Sequence, residues 1–217
     1  MTRFRDLVHP AAGTALISEW LTGTPERSAA AADAVIGEWA AAATPEGRLA
    51  QHVFLATDGT GLLFYAQWTS DEDHLAWARA HRASTVSRVD TLVPGIERPG
   101  LARTRLIRSV LHDTEHPQPA GVFVVSTMAA SDAEGAVGPA PGLLAAHVHR
   151  TASGDRAIVV TEWVDAAAHE AVVVGGAGDA RSTGDAGSAG SSAFKRYTLH
   201  RSFGSSSSSG SSGFPSE

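Results

Sequence analysis

The apolar positions of the chain change period repeatedly, and each change predicts an element. "TALISEWL" (14–21) is rich in strand-forming residues and reads as a strand. "TGTPERSAAAADAVIGEWAAA" reads as a helix, with Thr24 as N-cap, Pro25 at the first helical position and Glu26 in the first turn. Val35, Ile36 and Trp39 supply its apolar stripe. "RLAQHVFLA" (48–56) and "GLLFYAQW" (61–68) flank "TDGT", which is a hairpin signal. With the loop at Asp58–Gly61, one face pairs Gln51–Trp68, Val53–Ala66 and Leu55–Phe64. The other face then pairs His52–Gln67, Phe54–Tyr65 and Ala56–Leu63, and a two-residue Asp-Gly turn would shift these pairs. "SDEDHLAWARAHRASTVSRVDTLV" (70–93) reads as a second helix, capped by Ser70 with acidic residues in its first turn. "PGIERPG" breaks it, and "LARTRLIRSVLH" (101–112) reads as a fourth strand. The order β-α-β-β-α-β is the ferredoxin-like split unit.

The pattern then repeats. After an irregular arm (1–12), the first repeat spans residues 1–112, followed by a linker at 113–120, a second repeat at 121–203 and a Ser/Gly-rich tail at 204–217 expected to be disordered. At an offset of 95, His52/His147, Gly59/Gly154, Trp68/Trp163 and His74/His169 are identical. At an offset of 93, Arg103/Arg196, Leu106/Leu199, Arg108/Arg201 and Ser109/Ser202 are identical. Near the repeat starts the offset is 108, so the second copy's first helical region is shorter by 13 residues. "SDAEGAVGPAPG" (131–142) has room for a turn or two. "GGAGDARSTGDAGSAGSS" (175–192) reads as a loop, because glycine costs about 1 kcal/mol per helical position against alanine. Copy one keeps both helices and copy two loses helix. The expected solution is an α+β fold in which two antiparallel four-stranded sheets pack into one barrel, an internal pseudo-dimer within a monomer.

Composition narrows the function classes. The 217 residues are 43% apolar and 18% charged, enough apolar content for a packed core. No cysteine is present, which excludes disulfides and Cys-based metal sites. A net charge of −6 without a basic stripe argues against a nucleic-acid partner. No signal-peptide pattern and no membrane-length apolar run occurs, so the expectation is a soluble cytoplasmic protein with a small-molecule or protein partner.

A strand ending in Trp that runs into an acidic helix start, "FYAQWTSDEDHLAWA", inside a duplicated β-α-β-β-α-β unit, resembles the antibiotic biosynthesis monooxygenase family. The resemblance covers roughly residues 13–112, and 121–203 more weakly. It implies a tandem member of the dimeric α+β barrel superfamily, with no metal and no prosthetic group. It also implies oxidation of an aromatic polyketide-like substrate by O2, anthrone or phenol to quinone, in secondary-metabolite biosynthesis. The family's haem-degrading members use an Asn with Trp and His around the haem, and this sequence contains no Asn.

Candidate chemistry falls mostly in copy one. Trp68 and Trp163 are either large rings closing the barrel end or, for Trp68, a pocket wall whose indole N–H donates to substrate or peroxide oxygen. The base is His52 or His74. Trp68, Tyr65 or an arginine would stabilise the developing oxyanion. His74, Trp77, Ala78 and His81 share one helical face. Trp20, Trp77, His81 and Arg103 are the substrate-contact candidates. Arg103 and Arg108 recur in copy two, and each suits either an anionic substrate or an internal ion pair. His147-x-His149 beside Glu162 supplies at most a fragment of a metal site, and none is expected. The alternatives are a non-catalytic ligand-binding or scaffold protein of this fold, or a polyketide cyclase using the same pocket without O2.

Overall fold

The computed structural model describes residues 7–112, 118–133, 138–179 and 194–204. Linker positions 113–117, positions 180–192 of the expected loop and tail positions 205–217 lie outside them. The first half consists of β1 (Thr14–Leu21), α1 (Pro25–Ala41), β2 (Arg48–Ala56), β3 (Gly61–Trp68), α2 (Asp71–Trp77), α3 (Ala83–Leu92) and β4 (Glu97–Leu111). The second half consists of β5 (Val122–Ala129), β6 (Leu143–Thr151), β7 (Arg156–Trp163), α4 (Ala166–Asp179) and β8 (Phe194–Gly204). Among the described residues, none of the helices is long and apolar enough to cross a membrane.

The caps act as their chemistry dictates. Thr24 Oγ1 accepts from the Arg27 N–H and Ser70 Oγ accepts from the Asp73 N–H, so each helix start has an orphan donor satisfied. The second helix is not continuous over 70–93. A wider π turn occupies Ala78–Arg82 between α2 and α3. Strand β4 begins at Glu97, four residues before the expected start, across a register shift against β1 between Glu19 and Leu21. The bulge accommodates Pro99, which has no N–H to give to a ladder. Helix α4 runs to Asp179, so 175–179 is helical and not loop. Once a helix is nucleated, each further residue adds a hydrogen bond at low cost, which offsets the glycine penalty there.

The eight strands are antiparallel and close into a barrel in the order β1-β3-β2-β8-β5-β7-β6-β4. Each half's last strand seals the other half, β4 on β6 and β8 on β2. Closure removes the unpaired edges that an open sheet exposes.

The β2–β3 register differs from expectation by two residues. His52 lies opposite Tyr65 and Val53 opposite Phe64, in place of Gln67 and Ala66. The cause is a tight Asp58-Gly59 turn: Gly59 takes φ 75°, and Asp58 Oδ1 accepts from the Thr60 N–H at 2.9 Å. A slip of two residues keeps every side chain on its expected face.

The barrel interior is filled by Phe54, Tyr65, Phe123 and Tyr197 with aliphatic neighbours. Leu7, from the arm expected to be irregular, is fully buried there and its carbonyl accepts from Tyr65 Oη and Gln67 Nε2. Two histidines sit at the seams between halves: His52 Nδ1 is 2.9 Å from Ser202 Oγ, and His147 Nδ1 is 2.8 Å from Ser109 Oγ. His147 Nε2 also meets Glu162 at 2.9 Å, reaching diagonally, since its direct partner across the strands is Val160. His149 stacks edge-on to Tyr65, and among the described residues no three His, Asp or Glu converge as metal ligands.

Candidate functional site

The outer face of the first half's sheet does not pack flush against its helices. A cavity of about 170 Å³ lies between them. Its floor is β1 and β3, through Leu16, Trp20, Phe64, Ala66 and Trp68; α1 contributes Val35 and Trp39; the α2–α3 segment contributes His74, Trp77, Arg82 and Val86. The walls are aromatic in contact with one another. Trp20 and Trp39 each meet Phe64 edge-on, at 4.7 and 5.8 Å between ring centres. Trp77 lies 5.7 Å from Trp68.

Trp68 ends β3, and α2 begins three residues later, so the helix starts directly above the indole. His74 then meets Trp68 edge-on at 5.2 Å, with ring planes at 81°. Arg103 Nη2 donates to His74 Nδ1 at 3.1 Å and Nη1 pairs with Asp71 at 3.2 Å. Arginine only donates, so Nδ1 must accept and the neutral ring carries its proton on Nε2. Burial, with Arg103 and Arg82 adding repulsion against a limited pull from Asp71, pushes His74 down to about 4. His74 is therefore neutral near pH 7 and presents an N–H donor, which makes it a poor base.

The second half repeats this arrangement. Trp163 meets His169 edge-on at 5.0 Å and 80°, and Arg196 Nε donates to His169 Nδ1 at 3.0 Å. Burial and the Arg196 charge push His169 down as well. One difference separates the two indoles. Trp163 Nε1 donates to Thr161 Oγ1 at 2.8 Å. The first half has Ala66 at the equivalent place, and Trp68 Nε1 has no hydrogen-bond acceptor among the described residues.

The expected site residues divide into groups. Trp20, Trp68, His74 and Trp77 line the cavity together. His52 and Tyr65 do not: they point to the barrel interior, on the other side of the sheet. Burial there raises the Tyr65 phenol, so it stays protonated. His81 is exposed and outside the lining, because the π turn inserts one residue and brings Arg82 to the wall in its place. Arg103 is occupied by Asp71 and His74 and does not itself line the cavity.

Trp39, Arg82 and Arg98 are among the lining residues that sequence reasoning missed. Trp39 was visible only as part of an apolar stripe. Arg82 required the π turn. Arg98 lay in a segment read as a chain break. It sits 4.1 Å over the Trp20 ring, pairs with Asp90 through both terminal nitrogens, and keeps a buried Nε without a partner among the described residues.

Comparison with known proteins places the fold. An anthrone oxidase-like protein aligns over 89% of this chain and 93% of its own, at 20% identity and a TM-score of 0.63. A candidate monooxygenase of Fusobacterium nucleatum subsp. nucleatum aligns over 89% and 95%, at 10% identity and a TM-score of 0.54. A mutant chlorite dismutase of Candidatus Nitrospira defluvii aligns over 92% and 96%, at 9% identity and a TM-score of 0.50. No protein-family model and no curated protein matches the chain. At these identities the likeness establishes a shared α+β fold.

Proposed function

We propose that this chain is a tandem barrel of the antibiotic biosynthesis monooxygenase kind, which oxidises a small aromatic, anthrone-like substrate with O2 and without a cofactor. The observation that carries the reading is the aromatic cavity of the first half, with two unengaged donors, Trp68 Nε1–H and His74 Nε2–H, at its wall. A cavity of about 170 Å³ exceeds the ~150 Å³ that accepts a benzene ring. Larger polycycles extend into the mouth. The fold shared with an anthrone oxidase-like protein supports the same reading.

In this account the protein binds the substrate anion and not its proton. A neutral His74 with Nδ1 occupied does not take a proton near pH 7. It and Trp68 donate to the oxygen on which charge gathers, lowering the substrate's own pKa, and the proton leaves to water at the mouth. The electron-rich anion reduces O2, and the two recombine as a peroxide at the former methylene carbon. Loss of water leaves a carbonyl there: one oxygen atom stays in the quinone and the other departs in water. The apolar walls keep the intermediates from leaking into solvent.

The test is O2 uptake and quinone absorbance with anthrones under air. A rate above the buffer reaction is expected, and no rate across several anthrones contradicts the reading. His74's weak basicity favours one second reading, ligand binding without turnover. That reading predicts quenching of the cavity tryptophans by anthrones with no O2 uptake.

A further inference from the structure

A second cavity, about 160 Å³, lies on the far side of Arg103 from the aromatic one. It gathers three arginines, Arg103, Arg105 and Arg150, against one carboxylate, Asp71. Asp71 is already paired with Arg103 at 3.2 Å. Arg105 and Arg150 are direct cross-strand partners on β4 and β6, both exposed, and neither has an ion pair among the described residues. Like charges directly opposite on neighbouring strands destabilise a sheet. In a chain of net charge −6 this local positive excess runs against the overall balance.

The fold does not require the pair. The equivalent positions of the other half are Leu55 and Thr198, also direct partners, and uncharged. The hydroxyls around the cavity are committed elsewhere: Thr14 Oγ1 donates to the Thr104 carbonyl, Thr104 Oγ1 to the Ala15 carbonyl and Thr151 Oγ1 to the Arg156 carbonyl. Recognition therefore falls on guanidinium groups, whose forked N–H donors fit a tetrahedral or planar oxyanion.

The geometry points to an oxyanion-binding site between Arg105 and Arg150, backed by Arg103, that takes phosphate or a phosphate ester. This site is independent of the oxidation reading. Neither Arg105 nor Arg150 lines the aromatic cavity.

The experiment is calorimetric titration of the full chain with inorganic phosphate and, separately, phenyl phosphate at low ionic strength, with chloride as control. Arg105→Thr with Arg150→Leu supplies the residues of the other half at these places. Phosphate should bind the wild type and raise its melting temperature more than chloride does. The double variant should bind about tenfold more weakly or worse, lose the phosphate-dependent rise, and melt no lower than wild type in anion-free buffer. If free phosphate is the ligand, the two probes bind alike; if a phosphate ester is, phenyl phosphate binds tighter. Absence of binding by both probes, or equal binding by the double variant, overturns the site. Should the double variant not fold, Arg150→Leu alone is read by the same criteria. Anthrone oxidation in phosphate-free buffer should be unchanged in either variant, so this test and that of the oxidation reading fail separately.

Discussion

Trp68 and Trp163 stand at the same point in their halves, each edge-on to a histidine whose Nδ1 is held by an arginine. Gly13 and Gly121 donate to the carbonyls of these two tryptophans at 2.9 Å each. What repeats is thus a frame: it locks the end of a strand to the start of the next helix. What does not repeat is the setting. The first half faces its tryptophan with α1 and the α2–α3 segment and leaves a cavity; the second packs Trp163 against Val122, Val124 and Leu143. Thr161 engages the second indole, and Ala66 leaves the first one available. In this molecule the duplicated residues build the same frame twice, and the unmatched ones around it make the two settings differ.

The largest expected effect concerns pH and separates the halves. Burial pushes His149 down to about 3 and His74 to about 4, from an ordinary 6.5. Between 6.5 and these values the unfolded chain binds protons that the folded chain refuses, so stability falls as pH falls. Each group contributes a slope approaching about 1.4 kcal/mol per pH unit in its window, and none above 6.5. The first half has Phe54 where the second has His149. His149→Phe should therefore flatten urea-unfolding stability below pH 6.5, and an unchanged slope would contradict the assignment.

The frame itself should be equally fragile in both halves. A Cβ on Gly13 would lie 2.2 Å from the Thr69 carbonyl oxygen, and one on Gly121 2.3 Å from that of Val164. Gly13→Ala and Gly121→Ala should each cost about 3 kcal/mol. Tolerance of one and not the other would break the equivalence.

Smaller effects address the indoles. Ala66→Thr gives Trp68 the acceptor that Trp163 has, and should slow anthrone oxidation about tenfold without lowering the melting temperature. Thr161→Ala removes the acceptor from Trp163, and should cost about 1 kcal/mol of stability while leaving the oxidation rate unchanged. Equal rate effects from both substitutions would mean that the second half also carries a working site.

Much of the frame was legible because its signals are local. Thr24, Pro25 and Ser70 start helices through their own side chains, and "TDGT" makes a turn wherever hydrophobic runs flank it. The site was harder to read. Alternation already put Tyr65 and His52 on the face opposite Trp68, but every residue of β3 is buried, so no polar side marks which face carries the cavity. Arg82 replaced His81 through a π turn that leaves no trace in periodicity. Arg98 was hidden by Pro99 and Gly100, which look like an interruption and instead form a bulged strand. The repeated Trp, His and Arg positions were visible in the self-alignment, yet only the fold brings all three into contact.

The central claim is that one half works and the other supports. Its most direct test is O2 uptake with an anthrone by Trp68→Phe and Trp163→Phe, both checked for folding. The account predicts that Trp68→Phe loses at least about tenfold in rate through the missing donor, while Trp163→Phe stays close to wild type. Equal losses in the two variants would contradict it.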